Sequence, residues 1–409
     1  MAKIGIIGGG ASGIFASILL SRSGHEVHVF ERNDKLLKKL YATGNGRCNF
    51  TNSHINIENY HGENPKFPMS IIKNFSYEKC IEIFNQMGIK ELELEEGKVY
   101  PMSLQAETVA TCLILEGKEN NVQFHLNSYI KQIDFKKGIR ILKYDNKEFK
   151  CDYLIVATGG RAMEKSGSDG NGYKLVEELG HTITKTYPGI VQLKTKEEIY
   201  KKIPGTKVPG KVYLVTQGSK TLEQFSDILF TDYGISGPGI LQISGRAIEE
   251  LNKNREVYVS LDLLPYFEEN ELFNFLVASF SQNGFKKPED ALAGVINRNI
   301  AGAILEDLKI YHPRVSNLSK EDVFNISKKC KDLKLQIQGY KSEKDGQVTC
   351  GGVNTKELDP KTLKSKIYDR LYLIGEIVDV DGDCGGYNLH WAWASAYACA
   401  KAINEVENV

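Results

Sequence analysis

The feature of this sequence that most limits its fold is Gly8-x-Gly10-x-x-Gly13, which lies between a strand pattern and a helix pattern. Residues 2–7, AKIGII, are typical of a short buried strand, IFASILLSRSG of a helix, and EVHVFERN of a second strand. This β-turn-α-β order opens a doubly wound sheet. Gly8 then permits the tight turn, Gly10 lets a pyrophosphate approach the backbone, and Gly13 allows close packing of helix on strand.

The residues around this turn predict a dinucleotide site. The helix start offers amide donors and the positive end of a dipole, and Glu31, at the end of the second strand, could accept both hydroxyls of an adenosine ribose. Lys38 and Lys39 could neutralise the pyrophosphate, or they form a solvated basic face. The alternative is a turn of no function with Glu31 as a surface charge. The predicted contacts are Gly8, Gly10, Ala11, Ser12, Gly13, Glu31, Arg32, Lys38 and Lys39.

Two later stretches favour FAD over NAD. VATGG (156–160) ends a buried strand in glycines, so that the backbone could lie against a ligand, and RLYLIGEIVDVDGDCGGYN (370–388) offers a distant further contact. Glu376 would accept a bond from a ribityl hydroxyl, and the amides at a helix start would face the N1–C2 carbonyl of a flavin. The alternative for 370–388 is a plain glycine-rich loop. The predicted contacts are Thr158, Gly159, Gly160, Gly375, Glu376, Gly386, Tyr387, Asn388 and Leu389.

A third polar stretch, YATGNGRCNFTN (41–52), gives up packing and helix propensity in one place. It follows the second strand, where the chain could cross toward the flavin half of the cofactor, and its glycines and asparagines tolerate positive φ. Arg47 suits contact with an anion or carbonyl, and Cys48 is a packing or flavin-contact thiol rather than a redox centre. The predicted contacts are Asn45, Gly46, Arg47, Cys48 and Asn49.

The chain organisation is nested. After the opening unit come strand patterns over about 122–157 that predict a meander, strand-rich residues from about 190 to 263, and helical patterns after Pro265. Buried-strand and helix patterns then return near the C-terminus. We therefore expect a discontinuous α/β cofactor domain (1–188 and 346–409), a β-rich insert (189–264 and 332–345) and a helical domain (265–331).

Composition excludes several classes of function. Lys plus Arg and Asp plus Glu both number 52 in 409 residues, which argues against a strong nucleic-acid or membrane field, although a local patch could survive the even total. No apolar run is long enough to span a bilayer, and the eight scattered cysteines without C-x-x-C predict reduced cytoplasmic thiols. No histidine spacing predicts a metal site.

The motifs GGGASG, KKLYATGNGRCNFTN, ATGG, LFTDYGISGPGIL, VTCGGV and GEIVDVDGDCGGYN occur in this order, and with them the chain resembles the YhiN-like, or aminoacetone oxidase–BaiN, family of FAD-dependent oxidoreductases from residue 4 to about 400. The resemblance implies a Rossmann-type FAD domain split by a β-barrel-like insert and a small helical domain. It adds the backbone of Ile130 as an adenine contact, and its other implied FAD contacts fall among those given above.

Three functions remain open. The first is reduction of a conjugated C=C or similar small-molecule acceptor by hydride that NAD(P)H delivers to flavin N5; with one Gly-x-Gly-x-x-Gly, NAD(P)H would bind transiently in the substrate cleft. The second is an amine oxidase that makes peroxide, and the third a flavoprotein that acts on or binds RNA. No catalytic proton donor or oligomeric state can be assigned: Tyr173, Tyr233, Tyr387 and His390 are candidates by placement, and each better fits a structural role.

Overall fold

The computed structural model describes residues 1–136 and 138–407. The strands are β1 (Lys3–Ile7), β2 (Glu26–Phe30), β3 (Thr51–Asn52), β4 (Tyr60–His61), β5 (Glu91–Glu93), β6 (Lys98–Pro101), β7 (Gln123–His125), β8 (Gln132–Lys136), β9 (Ile139–Tyr144), β10 (Lys147–Cys151), β11 (Tyr153–Val156), β12 (Tyr187–Gly189), β13 (Leu193–Thr195), β14 (Lys207–Thr216), β15 (Ser219–Phe230), β16 (Gly234–Ser236), β17 (Val257–Asp262), β18 (Leu333–Tyr340), β19 (Val348–Cys350), β20 (Leu371–Leu373) and β21 (Asp381–Gly382).

The helices follow the same chain order, and short 3₁₀ turns connect several of them. They are α1 (Ala11–Arg22), α2 (Met69–Asn74), α3 (Tyr77–Gln86), α4 (Ala106–Glu119), α5 (Asn171–Glu177), α6 (Glu198–Lys201), α7 (Pro238–Asn252), α8 (Glu269–Gln282), α9 (Pro288–Leu292), α10 (Arg298–Asp307), α11 (Lys320–Lys331) and α12 (Tyr387–Glu407). Within the described residues, no helix is long and apolar enough to cross a bilayer.

The chain divides into two compact units. The first contains Met1–Pro188 and the chain from Gln347 onward, and the second contains Gly189–Gly346. Helices α8 to α11 fall in the second unit together with the strands β13 to β18. A separate helical domain over 265–331 therefore stays a prediction.

The first unit is built on a parallel sheet of order β20-β11-β1-β2-β7. Ile4 of β1 lies between Val27 of β2 and Tyr153 of β11, which fixes the register of the three central strands. All four residues of β11 are buried, as in a strand covered on both faces. Helix α1 packs against α12, so both ends of the chain contribute to the same layer. The doubly wound, Rossmann-type fold predicted from the glycine turn is confirmed.

The antiparallel meander is smaller than the sequence pattern predicts. It contains β8, β9 and β10 in the order β10-β9-β8, whereas β7 and β11 join the parallel sheet. The prediction of one continuous meander over 122–157 was therefore wrong at both ends. Strand β7 pairs with β2, and β11 pairs with β1, because these two short segments find parallel partners far away in sequence.

The second unit contains a closed barrel of order β13-β16-β15-β14-β17-β18. Strand β14 alternates exposed and buried residues over its first half, as a strand with one face toward the barrel interior should. Helix α7 packs against β15, and α8 packs against α11. This is the barrel-like insert that the family resemblance implies.

Candidate functional site

A cavity lies within the first unit where β1, β2 and β11 end. Doubly wound sheets bind ligands at this carboxyl edge. Most of the sequence-predicted contacts line it. They are Gly8, Gly10, Ala11, Ser12, Glu31, Arg32, Lys38, Lys39, Ile130, Thr158, Gly159, Glu376, Asn388 and Leu389.

The three glycines of the first turn have three different surroundings. Gly8 has φ +107°, and a Cβ there would lie 2.4 Å from the carbonyl oxygen of Ala157. A Cβ on Gly13 would lie 2.0 Å from the carbonyl oxygen of Gly8, so Gly13 permits the helix to approach the turn and does not line the cavity. A Cβ on Gly10 would meet nothing within 4 Å. Gly10 alone therefore leaves room for a ligand against the backbone.

Helix α1 starts at this turn without a side-chain cap. Its N-cap is Gly10, which has no side chain to satisfy the first amides. The unpaired N–H groups and the helix dipole favour an anion at this end. The side wall adds Thr158, whose hydroxyl is buried without a hydrogen-bond partner in the described residues. A ligand oxygen beside Thr158 would satisfy it.

Glu31 is held in place at the end of β2 and is 7% exposed. Its Oε2 accepts a bond of 2.8 Å from the amide of Gly9, and its Oε1 accepts bonds from the amide and the side chain of Asn33, of 2.8 and 2.7 Å. Two carboxylate oxygens have about four acceptor positions and three are used, so Glu31 can still accept a bond from a ribose hydroxyl. Asn33 also donates to the carbonyl oxygen of Ser166 and thereby ties the 164–167 turn to this end of the cavity.

Arg32 is occupied by a partner that the sequence pattern does not indicate. Its guanidinium lies 2.5 Å from a carboxylate oxygen of Asp169 and 5.0 Å from the ring centre of Tyr129. Burial by itself would raise the pKa of Asp169, but the hydrogen bonds from Arg32 and the Asn171 amide and the charge of Arg32 together outweigh it, and the pKa is lowered. Arg32, Tyr129 and Asp169 together form a wall of the cavity near Glu31.

Lys39 and Glu376 form the charged pair at another wall. The Lys39 Nζ lies 2.5 Å from Oε2 of Glu376, whose Oε1 accepts a bond of 2.9 Å from the amide of Thr349. The charge of Lys39 is thus compensated by Glu376 rather than reserved for a pyrophosphate. Lys38 also lines the cavity, and within the described chain it has no ion-pair partner.

The start of α12 supplies the last wall. Asn388 fixes the preceding loop, because its Oδ1 accepts from the Gly382 amide at 2.8 Å and its Nδ2 donates to the Gly382 carbonyl at 2.7 Å. The side chain of Asn388 therefore holds this loop in place. The backbone amides at the helix start remain available to a ligand. Trp391 stands one turn later and also lines the cavity, with its indole N–H bonded to the carbonyl of Gly375.

The polar stretch 41–52 contributes one residue, Thr43, to the cavity wall. Its backbone turns sharply, with φ of +57° at Asn45 and +60° at Cys48. The guanidinium of Arg47 lies 4.8 Å from the ring centre of Tyr100, outside the cavity lining. The predicted contacts that do not line the cavity are Gly13, Asn45, Gly46, Arg47, Cys48, Asn49, Gly160, Gly375, Gly386 and Tyr387.

Packing explains why this stretch lies away from the cavity. Asn49 accepts a bond of 3.1 Å from the amide of Val99, and the ring of Phe50 stacks on Phe84 at 4.7 Å. Cys48 is fully buried, and burial raises the pKa of its thiol to about 12 despite a hydrogen bond with Thr43. A thiol with that pKa stays protonated and unreactive at neutral pH.

The four proton-donor candidates have structural surroundings. His390 is fully buried, and its Nε2–H donates to the Phe75 carbonyl at 2.9 Å while its Nδ1 accepts from the Thr51 hydroxyl at 2.8 Å. Burial lowers the pKa of His390 to about 4, so the ring is neutral. Burial raises the pKa of Tyr173 and Tyr387, and Tyr233 lies in the second unit. None of the four lines the cavity.

Several cavity residues escaped sequence reasoning. Asn33 stands two positions after Glu31, and Trp391 three positions after Asn388 on the same helix face, so both were within reach of the motifs already recognised. Ser128, Tyr129 and the 166–169 turn gave no signal of their own. The missed polar and aromatic lining residues are Phe30, Asn33, Thr43, Ser128, Tyr129, Ser166, Ser168, Asp169, Asn171, Gln347 and Trp391.

Comparison with known proteins gives a whole-chain match. A family model described as the HI0933-like protein Rossmann domain matches residues 2–402. A 3-dehydro-bile acid delta(4,6)-reductase of Clostridium scindens is 35% identical, over 99% of this chain and 100% of that protein. A ribosomal RNA dihydrouridine synthase of Escherichia coli is 30% identical, over 97% of both chains.

A solved structure shares the fold at low identity. It is a 3-ketosteroid delta1-dehydrogenase from Sterolibacterium denitrificans, with a TM-score of 0.53, 11% identity and 99% of both chains covered. At this identity the likeness concerns the fold alone.

Proposed function

The chain belongs to the HI0933-like family of FAD-dependent oxidoreductases, and from this premise we propose that it reduces a carbon–carbon double bond conjugated to a carbonyl group, with hydride supplied by NAD(P)H. The observation that carries the proposal is the pair of full-length relatives. One is named as a reductase of bile acids, and the other makes dihydrouridine, which arises when the C5=C6 bond of uracil, conjugated to the C4 carbonyl, is saturated. Two unlike substrates thus share one reaction class.

The cavity residues fit FAD. The uncapped start of α1 and the open face of Gly10 would receive the pyrophosphate, and Glu31 the adenosine ribose. Glu376 would receive a ribityl hydroxyl. The unpartnered hydroxyl of Thr158 would donate to an oxygen of the same cofactor.

Bound FAD supplies two-electron hydride transfer between a nicotinamide and an acceptor. The chain itself would bind and orient the cofactor and set the charge around it. The amides at the start of α12 favour negative charge at their end of the cavity. At the other wall, Lys39 lies 2.5 Å from Glu376, so that the charges of this pair cancel. Trp391 adds an apolar surface that excludes water.

NAD(P)H would act as a visiting donor. The sequence contains one Gly-x-Gly-x-x-Gly turn, and that turn serves the cavity described above. A second resident dinucleotide has no comparable motif. We therefore expect weak, saturable binding of the nicotinamide rather than a tight complex.

A uracil base in RNA is the second candidate acceptor. It is favoured by the dihydrouridine synthase that is 30% identical over nearly the whole chain. The expectation of a small-molecule partner rests on the bile-acid relative in the same way. The chemistry required of the cavity is common to both acceptors.

Anaerobic flavin bleaching tests the proposal. The protein is reconstituted with FAD, NADH or NADPH is added without oxygen, and a steroid ketone with a conjugated double bond or a uridine-containing RNA is then supplied. We expect the yellow band to bleach with a nicotinamide and to return with one of these acceptors. Bleaching by a small amine and not by a nicotinamide, followed by peroxide in air, would instead show an amine oxidase.

A further inference from the structure

Two loops of the second unit together expose aromatic rings and positive charges. The first joins α8 to α9 and contains Phe285, Lys286 and Lys287; the second joins α10 to α11 and contains Tyr311 and Arg314. We call these five residues the basic–aromatic surface. From it we propose that the second unit binds single-stranded nucleic acid, an inference independent of the reductase proposal.

The two loops form one surface because their backbones are bonded. The amide of Val315 donates to the Lys286 carbonyl at 2.9 Å, and the amide of Ser316 donates to the Gly284 carbonyl at 3.2 Å. A Cβ on Gly284 would lie only 3.2 Å from the Cβ of Ser316, so a larger residue there would press on the second loop. The side chains on both loops are thus presented from a fixed frame.

The aromatic rings of this surface are largely exposed. Phe285 is 72% exposed and Tyr311 is 75% exposed. Exposed apolar side chains that share one surface mark binding sites more often than isolated ones do, and these two rings stand on loops joined by backbone hydrogen bonds. Flat rings in particular offer stacking platforms for unpaired bases.

In the part of the chain that the structure describes, most cations of the second unit pair with an acidic residue, but the cations of this surface do not. Within the described residues, Lys286, Lys287 and Arg314 form no ion pair. Elsewhere in the unit the rule is pairing, as with Lys253 and its two glutamates at 2.8 and 3.0 Å. Unpaired cations are available for phosphates.

Neither loop contains an acidic residue, and several acids of the flanking helices are engaged. Glu289 and Asp290 of α9 bind Arg298 at 3.5 and 2.8 Å. Asp322 accepts bonds of 2.8 Å from both the amide and the hydroxyl of Ser319. The local charge of the surface is therefore positive although the chain as a whole is neutral. The expectation of no nucleic-acid partner rested on that total and on the lack of a basic–aromatic stripe in the sequence, and neither shows which loops are joined in the fold.

A surface that contacted phosphate groups alone would bind any polyanion. The aromatic rings restrict the class of ligand further. Bases in a duplex are stacked on each other and cannot cover Phe285 or Tyr311, whereas unpaired bases can. The ligand chemistry is therefore a flexible polynucleotide with accessible bases. RNA and single-stranded DNA share this chemistry.

Fluorescence anisotropy with the full-length protein tests the surface. The probes are a labelled 20-nucleotide RNA of mixed sequence, the same sequence as single-stranded DNA, the corresponding duplex, and vesicles of anionic phospholipid. We expect the single strands to bind more tightly than the duplex, and the RNA-to-DNA ratio identifies the natural source.

Two sets of variants separate rings from charges. Phe285→Ala with Tyr311→Ala should weaken single-strand binding at least tenfold, since each ring loses a stacked base. Lys286→Ala, Lys287→Ala and Arg314→Ala together should lower the slope of log Kd against log salt by about 2, at ~0.7 per phosphate contact. The milder Phe285→Leu, which keeps apolar volume but not the flat ring, covers the case in which the alanine variant folds poorly.

Matched controls lie in the same unit. Tyr266 is also 75% exposed, and Lys253 is a surface lysine with acidic partners, so Tyr266→Ala and Lys253→Ala should leave binding within twofold. Flavin content and nicotinamide bleaching should stay normal in every variant, which keeps this test separate from that of the reductase. Equal binding by the surface variants and wild type, preference for the duplex or the vesicles, or no binding at micromolar protein would each overturn the proposal.

Discussion

Two polar, glycine-rich regions of the first unit are similar in composition and differ in what they face. Residues 8–13 turn toward the cavity, and a Cβ on Gly10 would meet open space. Residues 41–52 turn into packed protein, where a Cβ on Gly44 would lie 2.8 Å from the amide nitrogen of Asn49. Glycine permits close approach in both regions, but to a ligand in the first and to the chain itself in the second.

The difference lies in what satisfies the backbone. The turn at 8–13 precedes a helix whose first amides have no side-chain cap, so these hydrogen-bond donors remain unpaired within the described chain. The stretch at 41–52 pairs backbone groups within itself: the Arg47 amide donates to the Gly44 carbonyl, and the Cys48 amide donates to the Thr43 carbonyl. A polar stretch is a candidate binding site only where its hydrogen-bonding groups remain unpaired.

The largest effects should come from two single substitutions within the first turn, which are compared with each other. Gly13→Ala places a Cβ 2.0 Å from the Gly8 carbonyl oxygen, and such overpacking against backbone should cost about 3 kcal/mol of unfolding free energy. Gly10→Ala meets no atom and should cost under ~1 kcal/mol, while FAD affinity falls at least tenfold. Urea unfolding and FAD titration measure the two effects. Full FAD affinity in Gly10→Ala would remove the turn from the cofactor site.

The pH dependence of the unfolding free energy tests whether His390, which packs against the 41–52 stretch, is buried as a neutral ring. Burial lowers the pKa of its ring from 6.5 to about 4, so between these values the unfolded chain binds the extra proton. The stabilisation is complete above pH 6.5 and is lost as the pH falls toward 4, by about 2 kcal/mol between pH 7.5 and 5 at ~1.4 kcal/mol per unit. His390→Gln should reduce this loss. An equal slope of unfolding free energy against pH in both proteins would refute a neutral buried ring.

Glu31 tests the cavity side of the comparison. Glu31→Gln keeps the shape of the side chain but removes the charge that strengthens its hydrogen bonds, so FAD should bind about tenfold more weakly. Glu31→Arg should weaken it further, since a cation would face the ribose. Asn33→Ala is the control, because it loosens Glu31 without removing its charge. Unchanged flavin occupancy in Glu31→Arg would contradict the assignment.

The sequence predicted the parts of the site that depend on local pattern. The strand and helix periods around Gly8, Gly10 and Gly13 identify the turn, and Glu31 follows from its position at the end of β2. The buried run of β11 likewise fixed the central strand and the turn after it. Each of these features is encoded within about thirty residues, as a βαβ unit is.

The parts that were missed depend on partners far apart in the chain. Lys39 and Glu376 are 337 positions apart, and Arg32 meets Asp169 on a turn without any motif. The packing of 41–52 depends on Val99, Phe84 and the loop at Gly386. Neither composition nor period reports such pairings, so the direction in which a polar stretch faces is decided by tertiary structure.

The smallest expected effect is also the sharpest check of the comparison. Arg47 is exposed, stands over Tyr100 and does not line the cavity, so Arg47→Ala should change the dissociation constant of FAD by less than twofold. Lys39→Ala is the matched control, because it removes a cation that does line the cavity and leaves Glu376 unpaired. Both constants can be measured by quenching of flavin fluorescence. A tenfold loss in Arg47→Ala would mean that the packed stretch reaches the cofactor after all, and the contrast between the two regions would fail.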